Sequence, residues 1–164
     1  MDLQQFATRF RDDIRVMIDW TQLADANTYV SVRTLAREEA RRHLARLFTV
    51  WYTSPEGEDS LWIRPGSQPL RVGEAGRTAQ RWPEVRTHAV ADLVQAYTAA
   101  PEPVPLNIPA YAVDDGRFLL LDGNHRAVAA HRAGAAVRLT LFALHGPVCE
   151  TVLPDLRHYG APPP

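Results

Sequence analysis

The sequence predicts an α/β domain of the α+β kind, a small mixed sheet with packed helices, preceded by an N-terminal helical extension. Three observations predict it. Of 164 residues, 46% are hydrophobic and 23% charged, an ordinary globular balance that supports one core. The N-terminal part repeats apolar residues at three- and four-residue spacing, as helices do. The C-terminal part alternates short apolar runs with glycine and proline, as strands joined by turns do. The expected organisation is a helical extension over 1–47, the sheet domain over 48–160 and a mobile tail over 161–164.

Leu3, Phe6, Phe10, Ile14, Met17 and Ile18 predict an amphipathic helix over 2–19. A second helix is expected over 32–48, with Leu35, Ala40, Leu44 and Leu47 inward. These two helices either pack on the sheet or make a homodimer. Arg33, Arg37 and Arg41 fall together on another face. They suit nucleic acid or an acidic partner, but the ordinary reading is a solvated face paired with Glu38 and Glu39. Residues 48–52 and 61–63 read as short strands around a Ser-Pro-Glu-Gly-Glu-Asp turn. Residues 65–86, with Pro65, Gly66, Pro69, Gly73, Gly76 and Pro83, read as a long loop in which only Leu70 and Val72 suggest a strand fragment. A short helix carrying Val90, Leu93, Val94 and Tyr97 ends at a proline-rich link. Then come strand 108–113, the Asp114-Asp115-Gly116 hairpin turn, strand 118–121, an alanine-rich helix over 124–133 stopped by Gly134, and strand 137–144.

The net charge of −1 gives no whole-surface grip on DNA or anionic lipid. All 18 basic residues are arginine, which excludes a Schiff-base lysine, a lysine base and a Walker-type phosphate lysine from these residues. The single cysteine, Cys149, excludes a disulfide framework within the chain. The N-terminus lacks a signal-peptide pattern, and no stretch approaches the roughly 18 apolar residues of a membrane span. A cytoplasmic location is expected.

The chemistry concentrates at Leu121-Asp122-Gly123-Asn124-His125-Arg126, where an apolar strand ends, a glycine allows a sharp turn and a helix begins. The first N–H groups of such a helix lack intrahelical partners and, with the helix dipole, favour an anion. Gly123, Asn124, His125 and Arg126 are therefore the expected phosphate-binding residues. His125 and Arg126 add side-chain donors. Asp122 can cap the helix, ligate magnesium or act as a base. The ordinary alternative makes Asp122 an N-cap, His125 a surface donor and Arg126 a structural ion-pair partner.

LLLDGNHRAVAAHRAG, with the preceding hairpin IPAYAVDDGRFLLLDG and the following strand VRLTLFAL, resembles the signature of the ParB/sulfiredoxin superfamily. The resemblance covers 88–145, and residues 1–80 carry none. It implies nucleotide phosphate bound at the helix N-terminus. Asn124 stands where sulfiredoxins carry their catalytic cysteine, which argues against that activity. The Gly-Glu-Arg-Arg turn of CTP-binding ParB proteins is also not matched. The Asp-Gly-x-His-Arg turn is most similar to that of the free-serine kinases. That implies a nucleotide-dependent phosphotransferase acting on a small hydroxylated metabolite, with ATP or ADP (or CTP) and Mg2+. On that resemblance Asp122 and His125 are catalytic, and Asp122 is the metal ligand or proton acceptor. A further glutamate expected nearer the N-terminus has only candidates here: Glu74, Glu84 and Asp92. Competing readings are a CTP-switch or non-catalytic nucleotide-binding protein, a DNA-binding or nuclease-like protein, and the fold recruited for a non-phosphoryl reaction.

His125 and His131 are six residues apart, about 240° around a helix, so they cannot chelate one metal from one face. Asn124 and His131 share a face, but His131 reads first as a packing or surface residue. Cys149 has no evident activating neighbour. Of the four tryptophans, Trp82, within its irregular segment, is the best candidate to stack on a base.

Overall fold

The computed structural model describes residues 1–159, so the tail expected over 161–164 lies outside the described residues. These residues form a seven-stranded mixed sheet and six helices. The helices are α1 (Leu3–Phe10), α2 (Trp20–Asp25), α3 (Arg37–Arg46), α4 (Val72–Ala75), α5 (Glu84–Thr98) and α6 (Asn124–Arg132). The strands are β1 (Tyr29–Ala36), β2 (Phe48–Thr53), β3 (Asp59–Ser60), β4 (Gln68–Arg71), β5 (Val104–Asp114), β6 (Arg117–Leu120) and β7 (Val137–His145). The sheet order is β1-β7-β5-β6-β2-β3, with β4 pairing β2. The expected α+β class stands. No described helix is long and apolar enough to cross a membrane.

Because strand side chains alternate between faces, β5, β6 and β7 each feed two cores. Leu106, Ile108, Leu120, Leu139 and Leu141 point to one face, where Leu44, Val72, Val90 and Val128 of α3–α6 cover them. Tyr111, Leu119, Leu121, Phe142 and Leu144 point to the other, beneath Phe6 and Phe10 of α1, Leu23 of α2, and Val152, Leu153 and Leu156 of the C-terminal segment. The apolar side of α1 is therefore occupied within the chain.

Four sequence expectations change. The helix expected over 2–19 stops at Phe10, although its start holds: Asp2 accepts the Gln5 N–H at 2.8 Å in a capping box. Beyond it, Ile14, Val16 and Ile18 pack on the second core with Arg15 and Met17 outside, a two-residue alternation that the helical spacing concealed. Asp19 then caps α2, accepting the N–H groups of Thr21 and Gln22 at 3.0 Å. The helix expected over 32–48 is a strand followed by a helix. β1 pairs antiparallel along its length with β7, from Tyr29↔His145 to Ala36↔Arg138. Its β-branched residues fit that ladder, and tertiary pairing overrides the helical pattern. Arg37 turns the chain into α3 with φ 53°. Residues 61–63 are not a strand, since β2 instead pairs through Tyr52↔Ser60, and Leu61 and Ile63 are exposed. The segment expected as a loop over 65–86 contains β4, α4 and a 3-10 turn at Gly76–Arg81, with Val72 and Ala75 fully buried. Leu70 does lie in a strand, whereas Val72 begins α4.

Candidate functional site

β6 carries Leu119 and Leu120 into the core, and the chain then turns at Gly123 to start α6. Gly123 has φ 80°, the left-handed region that side chains resist. A Cβ there would also stand 3.1 Å from Arg126 Nη2. Gly123 is the N-cap of α6 and no side chain caps that end, so Asp122 is not the cap that its residue type allowed. The first α6 bond of this turn runs from the Ala127 N–H to the Gly123 carbonyl at 2.8 Å. The N–H groups of Asn124, His125 and Arg126 precede it and have no turn of helix behind them to accept their hydrogen bonds.

These residues line a cleft of about 270 Å3 together with Val50 and Trp51 of β2 and Arg15 and Val16 of the N-terminal loop. The five expected site residues, Asp122 to Arg126, are thus brought together. Their roles divide. Asn124 is only 8% exposed, and its Oδ1 accepts the Val50 N–H at 3.0 Å. That bond ties β2 to the turn and leaves the other end of the carboxamide, Nδ2, as a donor. Arg126 Nη2 donates to Asp122 Oδ2 at 2.7 Å, one turn along the helix. The ion-pair alternative is therefore present in the geometry, and it orients the guanidinium at the cleft rather than removing it.

His125 is half-buried against Trp51, with ring centroids 5.2 Å apart in an edge-on arrangement. Burial first, then the Arg86 charge, hold its imidazole below its ordinary pKa, while Asp122 pulls the other way. Arg86 lies over the Trp51 ring at 4.5 Å and pairs with Asp59 at 2.5 Å. Trp82 meets Trp51 edge-on at 5.3 Å and is buried, so it supports the cleft wall rather than lining the cleft.

Glu74, Glu84 and Asp92 do not line the cleft. Glu74 accepts the Arg71 N–H at 3.3 Å at the start of α4, and Glu84 and Asp92 are exposed on α5. His131 does not line it either, and its pKa is lowered by burial and then by Arg41. Arg33 of the expected basic stripe pairs with Glu39 at 2.6 Å. Sequence reasoning missed Arg15 and Arg86, and it ranked Trp82 above Trp51, whereas Trp51 is the tryptophan that lines the cleft. Trp51 reads as a core residue of an apolar strand, while Arg15 joins the cleft and Arg86 stacks on Trp51 through tertiary contacts that leave no local pattern. Compared with protein-family models, characterised proteins and solved structures, the chain matches none.

Proposed function

We propose that the cleft at the head of α6 holds the phosphates of a nucleotide, and that the protein is a ParB/sulfiredoxin-like, nucleotide-dependent phosphotransferase acting on a small hydroxylated metabolite. The observation that carries this reading is the convergence, in one cleft, of an uncapped helix N-terminus with the Arg126–Asp122 pair, His125 and Arg15. Open amides and a helix dipole favour phosphate oxygens, and arginine presents its donors in a fork that matches them. The cleft is smaller than the roughly 300–1,000 Å3 of pockets for drug-sized ligands. That suits a phosphate chain held inside with the nucleoside outside.

Phosphoryl transfer asks mainly for positioning and charge neutralisation, so few side chains suffice. Arg126 and the turn amides hold the phosphates, and His125 faces the transferred group. Asp122, the one carboxylate among the lining residues, either ligates magnesium or takes the acceptor's proton. Magnesium commonly rests on one or two carboxylates plus phosphate oxygens and water, and Asp122 fits that donor set. When bound, the ion would neutralise charge developing on the phosphates. A cytoplasmic setting accords with the free thiol of Cys149.

The test is phosphorus NMR of the protein with ATP or ADP, Mg2+ and a panel of small alcohols and hydroxy amino acids. A phosphomonoester that forms with wild type and not with Asp122→Asn supports the reading. The Asp122–Arg126 pair favours one second reading, because an engaged carboxylate suits a non-catalytic, ParB-like nucleotide switch. Nucleotide that binds and is never consumed, with any acceptor, supports that reading instead.

A further inference from the structure

We propose that β1 is a self-association edge, through which two copies of this chain pair antiparallel and join their sheets into one. The inference stands apart from the nucleotide reading, because the cleft lies at the β2 and β6 end of the sheet. β1 ends the sheet on one side, with β7 on its inner flank and no strand on its outer flank among the described residues. A strand so placed presents a row of N–H and C=O groups to any further strand. Six of its eight residues are exposed, and its register with β7 runs unbroken from Tyr29 to Ala36. The usual guards of such an edge are missing. β1 has no proline and no bulge, and its one charge, Arg33, is neutralised by Glu39 at 2.6 Å. β3, at the opposite side of the sheet, has only two residues.

The partner is a second copy because the strand is complementary to itself. Two antiparallel neighbours related by a two-fold axis need that axis perpendicular to the sheet. Opposite residues then share a face, and the axis passes through a residue. Placed on Val32, it sets Val32 against itself, Val30 against Thr34 and Tyr29 against Leu35 of the second copy. Val30, Val32 and Thr34 are β-branched, the type that packs well in cross-strand pairs. Tyr29 and Val32, the large apolar side chains that β1 leaves 59% and 48% exposed, both gain a neighbour. An axis on Arg33 would set arginine against arginine, whereas the axis on Val32 sets Arg33 against Ser31. Charges at the strand ends match too. Asp25 precedes β1 and Arg37 follows it, both exposed and neither in an ion pair among the described residues. Antiparallel pairing carries Asp25 of each copy towards Arg37 of the other. A net charge of −1 adds little repulsion between copies.

The test is sedimentation velocity of the full-length chain over a concentration series, without nucleotide. Wild type should show a reversible monomer–dimer equilibrium and nothing larger, since β3 offers no second long edge. Val32→Asp sets two carboxylates against each other about 5 Å apart across the axis. It should weaken the dimer roughly tenfold or more and leave the far-ultraviolet dichroism unchanged. Asp25→Arg and Arg37→Asp should each weaken the dimer as well, and the double variant D25R/R37D should restore it. If Val32→Asp fails to fold, the charge reversal carries the test. A wild type that stays monomeric at every concentration overturns the proposal and leaves the edge to a strand of another protein. So does a species that grows beyond two copies, or a folded Val32→Asp variant that dimerises as wild type does. A double reversal that pairs no better than the single ones overturns it equally.

Discussion

Asn124 links the scaffold to the cleft, and two substitutions separate those duties. Its Oδ1 accepts the Val50 N–H at 3.0 Å, and the residue is 8% exposed. Asn124→Ala leaves the Val50 amide without that partner. An unsatisfied buried donor costs about 1–3 kcal/mol. Val50 is only partly buried, and alanine is the better helix former by a fraction of a kcal/mol, so the net loss falls at about 1–2 kcal/mol. For a chain of this size that is a fall in Tm of roughly 2–8 °C. Asn124→Asp keeps an acceptor for Val50 and places a negative charge where a helix N-terminus favours it, a gain of about 0.3–1 kcal/mol. Its stability should therefore stay near wild type. A bound phosphate, however, would face that charge. At about 5 Å and an effective dielectric of 20, the repulsion is about 3 kcal/mol, roughly a hundredfold in affinity. Urea denaturation reads the first effect and calorimetric titration of ADP the second. Two results would refute the reasoning: an Asn124→Ala variant as stable as wild type, or an Asn124→Asp variant that binds nucleotide as tightly.

Other outcomes follow from the same geometry. Gly123→Ala should cost about 1–2 kcal/mol in urea denaturation, because φ 80° penalises a Cβ. It should also weaken nucleotide binding, since the new methyl would stand 3.1 Å from Arg126 Nη2 and press on the guanidinium. Asp155 is buried and accepts the Tyr52 hydroxyl proton, and burial lifts its carboxyl above the ordinary range even though that hydrogen bond works against the rise. A carboxyl raised by folding contributes stability that is full below its unfolded value, roughly pH 4, and is lost as pH rises through its folded value. Asp155→Asn keeps an acceptor for Tyr52, so its melting temperature should gain on wild type as pH rises from about 4 to 7. A constant difference across that window would contradict the assignment.

The elements nearest the turn were the most legible in the sequence. β5, β6, α6 and β7 follow one another with short connections, and glycine or proline marks their ends, so local chemistry determines them. β1 was hidden because Arg33, Arg37 and Arg41 keep a four-residue, helix-like spacing across its junction with α3. Only the ladder with β7 makes residues 29–36 a strand. Residues 11–19 were hidden in the opposite sense: Ile14 and Ile18 fit a helix, yet with Val16 they alternate in an irregular segment ended by the Asp19 cap. That difference bears on the candidate site as well as on the fold, since the exposed Arg15 of this segment lines the cleft. The motif Asp122 to Arg126 could be read as a local constellation, but its partners could not. Val50, Trp51 and Arg86 are separated from it by 39 to 75 positions along the chain, counting from Arg86 to His125 and from Val50 to His125.

Nucleotide binding at the head of α6 is the central claim, and calorimetric titration of ADP, ATP and CTP with Mg2+ into wild type and Arg126→Ala tests it most directly. Arg126 is 40% exposed in its pair with Asp122, so its removal should cost little stability. A charge-assisted bond to phosphate is worth about 1.5–3 kcal/mol, so affinity should fall by roughly ten- to a hundredfold. Saturable binding to wild type, weakened to that degree in the variant, is the predicted result. A folded wild type that binds none of the three nucleotides, or a variant that binds them equally well, would contradict the account.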